Sequence, residues 1–148
     1  MQPTLVTSAR AGDAVGVIDL PTLRGWIEKL GFDVVPVDAT TLRIRPPASE
    51  GSEPLPPFIV QHSENWVVLS ILPLITPGTY RDADLGRRLL AANRDMRLAK
   101  FALDESRAVV LCAELPTESL DYSEIADALS RMVQYARRFL AELAPRHV

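Results

Sequence analysis

The segment from Leu120 to Pro145 constrains the fold most. Asp121 and Glu124 stand at the D-x-x-E spacing of a capping box, and Leu120 and Ile125 at the N′ and N4 positions of a hydrophobic staple. From there Ile125, Leu129, Met132, Val133, Ala136, Phe139, Leu140 and Leu143 recur on one face of a helix, until Pro145 ends it. Asp127, Arg131, Gln134, Arg138 and Glu142 hold the opposite face, with Asp127/Arg131 and Arg138/Glu142 spaced as i,i+4 ion pairs. A stripe this long must lie against another apolar layer, so the question becomes what the rest of the chain supplies.

Two more helices are predicted. Asp19 can cap a helix over 20–31, with Pro21 in its first turn, Leu23, Trp26, Ile27 and Leu30 on one face, and Gly31 as the left-handed stop. A second runs from Asp82 to Met96, with Asp82 and Asp84 at its positive end and Leu85, Leu89, Ala92 and Met96 as its stripe.

The intervening segments read as strands. Val35 and Val37 alternate with other residues, and Leu42 and Ile44 alternate with Arg43 and Arg45, across a turn at Asp38–Thr40. Phe58–His62 and Trp66–Leu72 follow. The second is almost continuously apolar, which predicts a central strand covered on both faces and stopped by Pro73, Pro77 and Gly78. After the second helix, Ala99, Phe101 and Leu103 alternate, Asp104–Ser106 turn, and Arg107–Leu115 form the last strand. Five prolines in Pro46–Pro57 exclude a ladder there and predict an exposed, polar, mobile loop.

The order is therefore α, four strands, α, two strands, α. Strand runs separated by single helices favour an antiparallel or mixed α+β sheet over repeating βαβ units, with helices on one face. The domain reading is a loose N-terminal arm over 1–18 and one α+β domain over 19–148, a usual size for 148 residues.

Composition narrows the function classes. The N-terminus lacks a basic start and an apolar core, so no secretory signal is read, and no stretch reaches 18 uncharged apolar residues. With one cysteine, Cys112, the expectation is a cytoplasmic protein without disulfides. The net charge of −3 argues against a dedicated nucleic-acid binder.

No motif for chemistry emerges. There is no P-loop, no dinucleotide fingerprint and no nucleophile elbow. His62 and His147 are the only histidines, too scattered to nucleate a metal site. Cys112 sits within an apolar strand and reads as a small hydrophobe rather than a nucleophile. His62 reads as a surface residue at a strand end. Asp82 and Asp84 read as helix-start charge rather than an acid/base dyad. The expectation is no enzyme, no cofactor and no metal.

Two features can carry binding. Arg81, Arg87, Arg88, Arg94, Arg97 and Lys100 outnumber Asp82, Asp84 and Asp95 along the second helix. They make either an anion or nucleic-acid surface or a plain solvated face, and no aromatic residue lies among them to stack on a base. Trp26 and Trp66 are either pocket walls or core.

The second half of the chain resembles a known family. Asn93 late in the helix, the F-x-L-D of Phe101–Asp104, the E-L-P of Glu114–Pro116 and the capped last helix look like the YbjN-like family, whose fold is similar to that of type III secretion chaperones. The element order agrees over most of 20–144; the proline loop, the arm and one extra strand over 33–72 depart from it. The resemblance implies a non-enzymatic homodimer that holds a client protein on apolar grooves, YbjN-like proteins being usually described as regulators or as uncharacterised. The expected contact surfaces are the Trp26 face of the first helix, the exposed sheet edge, and Arg87, Arg88 and Arg94. The alternatives are a regulator contacting nucleic acid through 81–97, or a small-ligand sensor.

Overall fold

A computed structural model describes residues 17–75 and 84–143. Among them the chain forms α1 (Leu20–Lys29), β1 (Asp33–Asp38), β2 (Thr41–Arg45), β3 (Phe58–His62), β4 (Trp66–Ile75), α2 (Leu85–Asp95), β5 (Ala99–Leu103), β6 (Val109–Pro116) and α3 (Tyr122–Arg138). A π-helical turn, Phe139–Leu143, prolongs α3.

The strands make one sheet in the order β1-β2-β3-β4-β6-β5, with every neighbouring pair antiparallel. Alternation fixes the register. Leu42, Ile44, Phe58, Val60, Val67, Leu69, Ile71, Phe101, Leu111, Ala113 and Leu115 all face the core and are buried. A slip of one residue would turn every one of them to the other side. The expected α+β fold, with helices on one sheet face, is what forms.

α1 and α3 start where their caps say, whereas Asp84 before α2 makes no side-chain cap bond. Asp19 Oδ1 accepts the Thr22 N–H at 2.8 Å, and Gly31 closes α1 with φ +94°. Both halves of the α3 capping box are present: Glu124 N–H donates to Asp121 Oδ1 at 2.9 Å, and Asp121 N–H to Glu124 Oε1 at 3.2 Å. Below this cap Ile125, Ala128, Leu129, Met132, Ala136 and Phe139 are fully buried. The Phe139 ring meets Phe101 of β5 at 4.9 Å between centroids, and Phe32 meets the edge of Phe58 at 6.0 Å.

Several local expectations are corrected. β4 lies centrally, but it is covered on one face only: Trp66 and Leu72 are 48% and 45% exposed. Its apolar run reflects a half-buried second face, not a second helical layer. The strand also continues through Pro73, after a cis Leu72–Pro73 bond and a register shift, to Ile75. The helix expected from Asp82 begins at Leu85, and residue 82 lies outside the described residues. Leu103 is 56% exposed, since β5 is an edge strand whose end no helix covers among the described residues. Val17 and Ile18 of the expected arm are described. Ile18 is buried, and its carbonyl lies 2.6 Å from His62 Nε2, so His62 is half-buried and anchors the entry to α1.

The proline loop is not free of the body. Leu55 is buried in the core, and Arg137 Nη1 of α3 donates to the Glu53 carbonyl at 3.1 Å. Proline excludes it from the sheet, but its one large apolar side chain returns it to the domain.

Two predictions follow from this packing. Phe58→Ala removes a fully buried ring from the middle of the sheet and should lower unfolding free energy by about 3–5 kcal/mol in urea titrations. The second concerns acid. Hydrogen bonds from Thr22 to Asp19, Thr40 to Asp38, Ser106 to Asp104 and Glu124 to Asp121 hold these carboxyls below their ordinary 3.8. Depressed folded values stabilise the protein above the unfolded pKa, and that contribution disappears as pH falls through the folded value. The urea midpoint should therefore drop below about pH 4, and Asp121→Asn should make that drop shallower.

Candidate partner-binding surfaces

The helical layer carries a cleft where three segments meet. The end of α1 brings Leu30 and Phe32, the proline loop brings Pro47, and α3 brings Leu129, Val133 and Arg137. Its volume is about 480 Å³. The Arg137–Glu53 contact holds the loop against α3 and so fixes one wall. Sequence reading missed this cleft, because it took the loop as exposed and mobile. The signal that could have found it is Leu55, an apolar residue amid polar and imino neighbours.

Trp26 lies one helical turn before Leu30, further along the α1–α3 seam. It is half-buried, edge-on to Tyr122 at 6.3 Å, and Lys29 Nζ stands 4.8 Å over the same Tyr122 ring. This arrangement stitches the two helices together and leaves part of the indole at the surface.

The arginines of α2 do not form one surface. Arg87 is exposed and pairs with Asp84 at 3.3 Å. Arg88 and Arg94 instead line a separate cavity together with Arg138 of α3. The basic residues at the helix exit serve its C-terminus: Lys100 Nζ donates to the Asn93 and Met96 carbonyls at 2.7 Å, and Arg97 Nη1 to the Met96 carbonyl at 3.1 Å. Those cations meet the negative end of α2. Arg81 lies outside the described residues.

The two sheet edges are guarded differently. β1 carries Pro36, which has no N–H to offer a new strand, and is bracketed by Asp33 and Asp38. On β5 the guard is Asn93. Its side chain accepts the Phe101 N–H at 2.8 Å and donates to the Phe101 carbonyl at 3.0 Å. The amide thus takes the place that a neighbouring strand would fill. An expectation of an edge open to strand addition is corrected at this point of β5. What the α2–β5 rim does expose is side chain: Leu90 at 72%, Leu98 at 46% and Leu103 at 56%. Leu98 holds a left-handed backbone, φ 68°, which is unfavourable for a bulky residue.

Cys112 is half-buried on the uncovered sheet face, across from Ser70 and Lys100. Burial, and then the nearby Glu114 charge, push its thiol up from the ordinary value. A thiol shifted that way is poorly suited to nucleophilic work. Among the described residues no three His, Cys, Asp or Glu are grouped to hold a metal ion, and no helix is long and apolar enough to cross a membrane.

The model of the Tir chaperone protein (CesT) family matches residues 58–140, more than half of the chain. A comparison with curated proteins finds no match. Among solved structures, the fold is similar to one from the heterodimeric ExoU–SpcU complex of the Pseudomonas aeruginosa type III secretion system, with a TM-score of 0.60 and 21% identity, over 82% of this chain and 98% of that one. YbjN from E. coli gives 0.63 and 20% over 89% and 100%, and the ExsC–ExsE complex 0.53 and 14% over 85% and 97%. At these identities the likeness is one of fold. The resemblance carried by Asn93, Phe101–Asp104 and Glu114–Pro116 is borne out.

Asn93 yields a direct test. Asn93→Ala leaves the Phe101 N–H and carbonyl without their partner and should lower stability by about 1–3 kcal/mol. The Phe101 amide should then exchange with solvent measurably faster, while amides in the middle of β3 and β4 change only with global stability.

Proposed function

From its membership of the Tir chaperone protein (CesT) family, we propose that this chain is a non-catalytic, chaperone-like protein that holds a segment of a client protein and works as a homodimer. The observation that carries the client reading is the cleft between α1, α3 and the proline loop. It is apolar at its floor, open at the surface, and already shaped by the Arg137–Glu53 contact. Preformed apolar grooves of this kind accept the apolar residues of an extended or helical segment without a large ordering penalty on the receiving side. That the similar folds of ExoU–SpcU and ExsC–ExsE come from complexes of two proteins supports the same reading.

The homodimer reading rests on the α2–β5 rim. Leu90, Leu98 and Leu103 are exposed on neighbouring elements, an arrangement that a two-fold copy of the same rim would cover. Because Asn93 already occupies the backbone of Phe101, this contact is made by side chains and not by a sheet continuing across the two-fold.

Light scattering on the purified chain should give twice the mass of one chain, and Leu90→Glu/Leu103→Glu should give the mass of one chain at the same concentration with an unchanged circular dichroism spectrum. A monomeric parent protein would end the dimer reading. For the client, the tagged chain should capture one dominant protein from the extract of its own cells, and Val133→Arg in the cleft should abolish that capture without changing the oligomeric mass. Equal capture by both forms would remove the cleft from the account.

A further inference from the structure

The cavity lined by Arg88 and Arg94 lies apart from the α1–α3 cleft, with no residue in common. Three elements build it. α2 contributes Ala92 and runs into Met96, β5 contributes Phe101, and the end of α3 contributes Tyr135, Arg138 and Phe139. The floor is apolar. Met96, Phe101 and Phe139 are buried beneath it, and the two rings touch. The π-helical turn that begins at Phe139 keeps Glu142 on the rim beside Arg138. The volume is about 290 Å³, at the low end of the roughly 300–1,000 Å³ of small-molecule pockets. It suits an anchoring side chain better than a cofactor.

The rim has a sign. Arg88, Arg94 and Arg138 face two carboxylates, Asp95 and Glu142, so the rim is net positive on a chain whose overall charge is −3. Arg94 pairs with Asp95 at 3.7 Å and Arg138 with Glu142 at 3.4 Å, and all four side chains are more than half exposed. Exposed pairs of this kind are weak and screened, so an incoming carboxylate can displace them at little expense. Arginine is suited to the exchange, since its fork binds a carboxylate through two parallel hydrogen bonds.

We propose that this cavity is a docking point for an acidic peptide segment of a partner protein, an apolar side chain entering the floor while flanking carboxylates pair with the arginine rim. The proposal deepens the client-binding reading and rests on it. The chain's own remaining segments do not have the required charge. Residues 1–16 carry Arg10 and Asp13, residues 76–83 carry Arg81 and Asp82, and residues 144–148 carry Arg146 and His147. A nucleic acid fits less well. The two phenyl rings are buried under the floor rather than presented for stacking on a base.

The probe is a fluorescein-labelled, end-capped hexapeptide, ELDEFE, titrated with the full chain and read by fluorescence anisotropy. Its comparisons are KLKKFK, EADEAE and a twelve-residue oligothymidylate. ELDEFE should bind at least about tenfold more tightly than either control peptide and weaken with salt. Arg94→Glu/Arg138→Glu should weaken it by about tenfold or more, and Ala92→Phe, which fills the floor without touching charge, should weaken it as well. Should the charge-reversed form fold poorly, Arg94→Gln/Arg138→Gln replaces it, with the same loss expected. Equal binding of the acidic and basic peptides, indifference to both substitutions, or tighter binding of the oligothymidylate would overturn the proposal. Capture of the cellular partner is read in parallel and separates the two claims. If the parent chain captures its partner but binds ELDEFE no better than KLKKFK, the cavity proposal falls and the client reading stands. If the parent chain captures nothing, the client reading falls and the peptide titration alone judges the cavity.

Discussion

The pairing of β4 with β6 is the contact on which the rest of the molecule depends. β1 to β4 form a meander from one half of the chain, and β5 and β6 form a hairpin from the other. Among the described residues, only the β4–β6 ladder, from Trp66–Pro116 to Ile75–Val109, joins them into a single sheet. Closing it places Val67, Leu69 and Ile71 beside Leu111, Ala113 and Leu115 on one surface. That surface is wide enough to seat α3, and α3 in turn meets α1. The contact is non-local, so its ordering penalty falls due before α3 finds its seat. The cleft is a seam that this closure creates, whereas the arginine-rimmed cavity is built from the second half alone. The cleft lies between α1 and α3, and the arginine-rimmed cavity lies between α2, β5 and the end of α3.

How much of this could be read from the sequence depends on the range of the interaction responsible. Caps and turns are local, and they were legible to the residue: Asp19, Gly31, Asp121 with Glu124, and the Asp38–Thr40 turn all act within four positions. Strand periodicity was legible wherever one face is buried against helices, as at Leu42 and Ile44. It misled at β4, because a central strand half-shielded by its two neighbours tolerates the same apolar run as one covered on both faces. It misled at Leu103 too, because alternation reports the parity of a residue and not whether a helix extends that far. Leu55 and Ile18 were missed for a related reason. Each is anchored by partners far away in sequence, and nothing in the local pattern of a proline loop or a terminal arm encodes that.

The candidate surfaces divide in the same way. Trp26, Arg87, Arg88 and Arg94 were visible as residue types, yet the sequence could not sort them. Arg88 and Arg94 share a cavity with Arg138, some fifty and forty-four residues onward, whereas Arg87 faces Asp84 on the outside of α2. The helical period puts Arg87 and Arg88 about 100° apart, so neighbours in sequence serve different surfaces. Asn93 was visible as part of a family pattern without a reason. Its reason is the geometry of an edge strand: the side-chain amide, with one donor and one acceptor at the right spacing, satisfies both outward-facing groups of Phe101.

That amide, taken with Pro36 on the opposite edge, decides how the molecule can recognise anything. A one-layer sheet with free edges is open to unselective strand addition, because backbone groups are the same in every partner. Here one edge lacks an N–H at Pro36 and the other has its central residue occupied. Backbone pairing is thereby hindered at one residue of each edge. What the described surface presents instead is side chain: the leucines of the α2–β5 rim, the floor of the α1–α3 cleft and the charged rim above Phe101 and Phe139. Side-chain surfaces discriminate by shape and sign, where an open edge would not. A sheet whose edge groups are unpaired is exposed to many strands it should not bind. Blocking an edge at its central residue counters that problem, and it gives Asn93 a structural role although it touches no candidate partner surface itself.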